Sequence, residues 1–308
     1  MRNAITRISC AIFAMFCLSV RADADVKVRI GYTALADFAS VFIAKEQGIF
    51  ARNGIDAELI QIALNSTMPA ALVSRSFDLA GVTPPVFVQA VAGGLDLVIV
   101  SGVSVVTNDL NFAALVRPQS GIKQPKDFEG KKVGIPGIGA TLHVLFVRWL
   151  KNEGVDPKRV TFIETPFPTQ LDLLRTGTID AVVTAQPNVD SIVAAATGTI
   201  MVNLGTGLEG LSGAFWVSTA EWAGVNPDVA KKIKASVAEA GKFIDANPAA
   251  ARADIAKYIK LPPKMLEAIL LPKVVSDVEA TNVAWWFDVL LDQKLIEKKL
   301  NVDALILK

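Results

Sequence analysis

Gly137, Ile138, Gly139, Ala140 and Thr141 follow a short strand around Val133 and precede an apolar-periodic run to Glu153. A helix whose first turn is so bare of side chains is a seat for an anion. Its first N–H groups lack intrahelical partners, the positive end of the helix dipole points outward, and Gly139 and Ala140 permit close approach. Thr141 adds a hydroxyl. The same residues also suit the tight packing of an ordinary strand-to-helix turn. Asn65, Ser66 and Thr67 stand at a second helix start, behind the strand Ile55 to Ile62, where they offer amide and hydroxyl donors or plain N-caps. Two such termini facing one another make a clamp for a carboxylate, sulfonate, phosphate or nitrate.

Other residues carry weaker signals, each with a plain structural alternative. Thr83 ends a buried strand at the carboxyl edge of a sheet, where α/β ligands sit, and either donates to a ligand or caps the helix that Pro84 begins. His143 is the one histidine of the chain; it hydrogen-bonds a pocket group or is structural, and alone it builds no zinc site. Trp216 stands beside a glycine-rich loop and is either pocket wall or core packing. Gly205, Gly207 and Gly210 match G-x-G-x-x-G, but loop and strand follow them, so the match is chance or hinge. There is no G-x-x-x-x-G-K-[ST] and no G-x-S-x-G, which leaves an ATPase or a hydrolase little to stand on. No catalytic residue, cofactor or metal is expected.

These residues need elements to hold them, and strands alternate with helices almost throughout, the pattern of an α/β fold with a mostly parallel sheet. The alternation restarts after Gly130, which suggests a second lobe, and the chain turns mainly helical after Asn226. If that tail packs on the first lobe, Ser104 to Asp109 and Gly205 to Gly213 are two crossings flanking a cleft. The predicted division is residues 25–108 with 211–308 in lobe 1 and 109–210 in lobe 2.

The first 24 residues are processing signal: Arg2 and Arg7, an apolar run from Ile8 to Val20, and Ala22-Asp23-Ala24 as an A-x-A site, with cleavage after Ala24. Both cysteines, Cys10 and Cys17, fall inside it, so the exported chain has no disulfide and no thiol nucleophile. Thirty-one basic residues against thirty acidic ones give no pull toward nucleic acid or an anionic membrane.

Five stretches, taken in order, resemble the periplasmic substrate-binding proteins of ABC importers of the nitrate, sulfonate, taurine and thiamine-precursor type. They are IGYTALADFASVFIAKEQGIFARNGIDAELIQI, FDLAGVTPPVFVQAVAGG, DFEGKKVGIPGIGATLHVLF, LLRTGTIDAVVTAQP and FIDANPAAARADIAKYI. The resemblance implies a type II periplasmic binding protein fold, two lobes joined by two crossover segments with ligand between them. By position it places Tyr32, Thr33, Asp37, Asn65, Ser66, Thr67, Thr83, Pro84, Gly139, Ala140, Thr141, His143 and Gln186 in the pocket, beside Trp216. Members of the family often carry an aromatic residue, an acid and a proline where this chain has Ala185, Gln186 and Pro187. The expected protein is a monomeric, non-enzymatic periplasmic receptor that hands a small anionic solute to a membrane permease and its ATPase. The alternatives are a receptor for a thiamine pyrimidine precursor and a synthase on the same scaffold; the synthases depend on a cysteine-rich motif and histidines, whereas the chain after residue 24 has no cysteine and one histidine.

Overall fold

A computed structural model describes residues 25–107, 112–260, 263–267 and 269–308. Residues 1–24, expected to be an export signal and holding both cysteines, residues 108 and 109 of the expected first crossing, and Asn111 lie outside the described residues. Eleven strands are present among the described residues: β1 (Val26–Tyr32), β2 (Ile55–Gln61), β3 (Leu79–Val82), β4 (Leu97–Val105), β5 (Phe112–Val116), β6 (Lys132–Ile135), β7 (Thr161–Glu164), β8 (Ala181–Ala185), β9 (Thr199–Asn203), β10 (Ser212–Thr219) and β11 (Lys273–Val274). They build two sheets, ordered β11-β4-β10-β3-β1-β2 and β7-β6-β8-β5-β9. Helices between them make the fold α/β, as the alternation predicts.

The sheets are mixed rather than mostly parallel, and the reason is topological. β1 pairs parallel with β2 and β3, and β6 parallel with β7 and β8, each joined by a helical crossover. β5 is the first strand after the chain leaves the six-stranded sheet, and β10 the first after it returns. Each inserts between two strands of its new sheet and runs antiparallel to both. Strands that arrive from the other sheet come in from the cleft side, so they point the opposite way. β3, β5 and β8 are buried at every residue, because helices and neighbouring strands leave them no wet face.

Two further details differ from the periodicity. β4 continues through Ser104 to Val105 because β10 and β11 both pair with it there, so its ladder outlasts its apolar run. β11 is a two-residue edge strand inside the helical tail, too short to leave an alternating pattern.

One apolar cluster runs under both sheets. It holds Val82, Phe215 and Val217 from the first sheet and Val133, Ala181 and Val183 from the second, joined through Phe87, Phe146, Trp286 and Phe287. The helix Ala280–Asp292 makes this continuity possible by packing on helix Pro84–Ala92 and on helix Thr141–Asn152. Polar contacts set its angle: Gln293 Nε2 donates to Val144 O at 2.8 Å, Lys151 Nζ lies 3.3 Å from Asp292 Oδ2, and the Arg148 guanidinium sits 5.1 Å over the Trp285 ring. A second cluster lies beneath β1, where helices Ala39–Glu46 and Pro227–Ala246 cover Val28 and Ile30. Tyr258 stacks on Phe42 at 4.5 Å and donates to Glu46 Oε1 at 2.6 Å, tying the tail to the first helix.

Because the shared cluster spans both sheets, Phe287→Ala removes a fully buried ring from the joint between them. It should lower stability by about 3–5 kcal/mol. Urea unfolding followed by circular dichroism should show one earlier transition rather than two separated ones.

Candidate functional site

Between the two sheets lies a cavity of about 50 Å³. That is room for roughly three to five water-sized groups. From the six-stranded side it is bordered by Thr33, Leu35, Asp37, Phe38, Asn65 and Thr83, with Gly213 and Ala214 of β10. From the five-stranded side come Phe112, Pro136, Phe167 and Ala185, with Ala140, Thr141 and Leu142 at the start of a helix. Six of the residues picked from the sequence therefore meet around one space: Thr33, Asp37, Asn65, Thr83, Ala140 and Thr141.

Asn65 organises the upper wall. Its Nδ2 donates to Gly81 O at 2.7 Å, and its Oδ1 accepts from Thr83 N–H at 2.9 Å. The amide thus clamps the end of β3 and fixes Thr83, whose carbonyl then accepts from Phe87 N–H at 3.0 Å and starts helix Pro84–Ala92. The Thr83 hydroxyl oxygen is buried with no partner, and so is the Thr141 hydroxyl oxygen on the facing wall. Buried polar atoms are paired in the great majority of cases, so two orphans bordering one cavity make it the candidate site.

The glycine turn is occupied from within. Ile138 N–H donates to Glu164 Oε1 at 2.8 Å, and Gly139 N–H donates to His143 Nδ1 at 3.0 Å. Gly139 O accepts from Gln89 Nε2 at 2.8 Å, a bond that crosses the cleft. Gly139 has φ +76°, and a Cβ there would stand 3.1 Å from Gln89 Oε1, so the residue is needed for both its backbone angle and its closeness to the opposite helix. Opposite Gly137, Ser66 Oγ would lie 3.6 Å from an added Cβ. The two predicted helix starts do face each other, but Gly139 serves as a contact between the two sides.

The other residues expected in the pocket stand behind or beside it. Tyr32 packs edge-on to Phe42 at 4.9 Å in the core. Thr67 is exposed and donates to Leu64 O at 2.8 Å. Pro84 is buried at the first helical position. Gln186 donates to Asp190 Oδ1 at 2.9 Å, while its Oε1 is buried without a partner next to a cis bond to Pro187. Trp216 is fully buried against Phe38, ring centres 5.6 Å apart, and supports the wall from behind. Sequence reasoning missed the apolar lining of Phe38, Phe112 and Phe167, as well as Ser104, which donates to Asp37 Oδ1 at 2.8 Å. The A-D-F run Ala36–Phe38 after β1 carried a signal for the first of these.

His143 also packs edge-on to Phe162 at 4.6 Å, and burial lowers its pKa to about 4. It is a neutral acceptor for the Gly139 N–H. Asp37 keeps some accessible surface, as a side chain bordering a cavity does. Its carboxyl is nonetheless withdrawn from bulk water, which raises its pKa, while the Ser104 hydrogen bond pulls it back down.

The sequence itself decides the family, through a match that covers residues 21–260. The chain belongs to the NMT1-like family. Among curated relatives of this NMT1-like chain is a Haemophilus influenzae protein named "Putative thiamine biosynthesis protein", 29% identical over 188 residues, which are 61% of this chain and 58% of that one. The alignment therefore spans little more than half of that relative. A Brucella abortus protein named "Putative binding protein" is 25% identical over 269 residues, covering 85% of this chain and 81% of its own. Among solved structures, the alkanesulfonate-binding protein SsuA of Xanthomonas axonopodis pv. citri, bound to MOPS, superposes with TM-score 0.80 at 22% identity, over 93% of this chain and 99% of that one. The periplasmic nitrate-binding protein NrtA of Synechocystis superposes with TM-score 0.77 at 18% identity, over 92% and 87%. The fold is that of the periplasmic binding proteins.

The His143 environment has a measurable consequence. With a pKa of about 4 in the folded chain against about 6.5 unfolded, the unfolded state binds the extra proton between those values, so folding loses stability as pH falls from 6.5 to 4. The loss is at most about 3 kcal/mol. In His143→Gln, the amide oxygen can still accept from Gly139 but does not titrate. The fall in urea midpoint between pH 7 and pH 4 should be shallower in this variant than in the parent.

Proposed function

We propose that this chain is an extracytoplasmic receptor of an importer. It captures a small solute between lobe 1 (25–108 and 211–308) and lobe 2 (109–210) and delivers it to a membrane permease coupled to an ATPase. The observation that carries this reading is the pair of orphaned hydroxyls, Thr83 and Thr141, on opposite walls of a cavity between the two sheets. Each wall alone offers one hydroxyl to open solvent; only the closed cleft brings both to the same solute. In this reading the chain is exported by residues 1–24, cleaved after Ala24, and acts as a monomer without catalysis.

An anion is the solute that the sequence and the alkanesulfonate and nitrate receptors suggest. The two hydroxyls suit it, since each can donate to an oxygen. The Gly139 and Ile138 N–H groups do not add to that set, because His143 and Glu164 already hold them.

Capture should compact the protein. A screen of small solutes by thermal shift on the purified protein, followed by X-ray scattering with the best of them, should show a smaller radius of gyration on binding. A tightly bound solute that leaves the radius unchanged counts against capture by closure. Thr141→Val, which keeps the shape and removes the hydroxyl, should weaken that binding about fivefold. Thr67→Ala should leave it unchanged, since Thr67 points to Leu64 rather than to the cavity. Gln89→Ala removes the bond across the cleft and should enlarge the ligand-free radius, weakening binding a few-fold by the same shift toward the open form.

A further inference from the structure

Among the described residues that line the cavity, Asp37 alone is charged. Its position is arranged by two others. Ser104 on β4 donates to Oδ1 at 2.8 Å, and Gly213 near the start of β10 lacks the Cβ that would stand 2.9 Å from Ser104 Oγ and 3.9 Å from Asp37 Oδ1. A side chain at position 213 would push Ser104 off the carboxyl. The carboxyl has little water around it and one hydroxyl in exchange, so an anion brought beside it in closed surroundings is repelled more strongly than in water. A positive solute reverses that sign.

The remaining lining agrees with a positive solute. Phe38, Phe112 and Phe167 present aromatic rings, on which an ammonium or a planar amidinium is attracted by the ring quadrupole. The Thr83 and Thr141 hydroxyls, buried and unpartnered, accept from N–H as readily as they donate to oxygen. No lysine, arginine or histidine among the described lining residues offsets the carboxyl.

We infer that the cavity takes a compact organic cation, an amine or amidine of a few non-hydrogen atoms, whose N–H donates to Asp37 while the Thr83 and Thr141 hydroxyls accept its remaining N–H groups. This inference rests on the receptor reading above and names the class of its solute.

The test sets methylammonium, formamidinium and acetamidinium against nitrate and methanesulfonate, by thermal shift and native mass spectrometry of the purified protein. At least one cation should raise the melting temperature by several degrees and bind one per chain. Asp37→Asn, which keeps the shape and removes the charge, should bind that cation at least tenfold more weakly while melting cooperatively. Should Asp37→Asn not fold, Asp37→Ser is the second variant, and the comparison of cations with anions on the parent decides alone. Stabilisation of the parent by nitrate or methanesulfonate, with no cation acting, overturns the inference and leaves the receptor reading standing. A cation that binds Asp37→Asn as tightly as the parent also overturns it. If no probe of either charge binds, the inference falls, and the receptor reading is decided by its own solute screen and scattering experiment.

Discussion

The bond from Gln89 Nε2 to Gly139 O is the contact on which the geometry of the cleft depends. It joins helix Pro84–Ala92, carried by the six-stranded sheet, to the turn that begins helix Thr141–Asn152 on the other side. The bond is possible because Gly139 adopts a positive φ and has no side chain of its own to displace the Gln89 amide. From it follow the distances that matter. Thr83 is held by Asn65 at one end of the first helix, and Thr141 begins the second, so closing these two helices brings two unpartnered hydroxyls around one space. Helix Ala280–Asp292 braces the same pair from the apolar side, which makes the joint a packed core as well as a polar latch.

Much of this was legible in the sequence because the signals were local. Period-two and period-3.6 patterning located the strands and helices. Pro84 marked a helix start, and Gly48 with a positive φ marked the break between helices Ala39–Glu46 and Ile49–Arg52. Thr83 was visible as a small polar residue at the end of an apolar strand, and Thr141 as a hydroxyl at a bare helix start. What stayed hidden was set by pairing between distant segments. Nothing near Ser104 announces that β10 and β11 will extend its strand, or that Gly213 will leave it room to reach Asp37. Asn65 looked like a donor to a ligand, yet both ends of its amide are taken, by Gly81 and Thr83, sixteen and eighteen residues further on. Whether a polar side chain faces a ligand or its own backbone depends on where β3 ends in space.

The glycine turn shows why a bare helix terminus is an incomplete argument for anion binding. The positive end of the helix dipole draws negative charge, but the chain can supply that charge itself. Here Glu164, one strand over at the end of β7, accepts from Ile138, and a neutral His143 reaches back from the next turn to accept from Gly139. These two N–H groups of the turn are satisfied within the chain, while the helix behind them begins at Thr141 with no side-chain cap from Ala140. The charge of the pocket is then decided elsewhere, by the carboxyl that β4 and β10 position at its wall.

That separation also explains how similar backbones can serve different solutes. The chain superposes on an alkanesulfonate receptor with TM-score 0.80 at 22% identity, so the strands and helix starts recur while most side chains do not. Such likeness carries the two-sheet fold and the cleft between the sheets. It does not carry the sign of the ligand, because that sign depends on very few side chains. Moving one carboxyl to or from the wall changes the electrostatic energy of a bound charge by several kcal/mol at the low effective dielectric of a closed cleft. That exceeds what one hydroxyl can return at about 1 kcal/mol. In this chain the charged residue among the described lining is Asp37, and the hydroxyls of Thr83 and Thr141 can donate or accept.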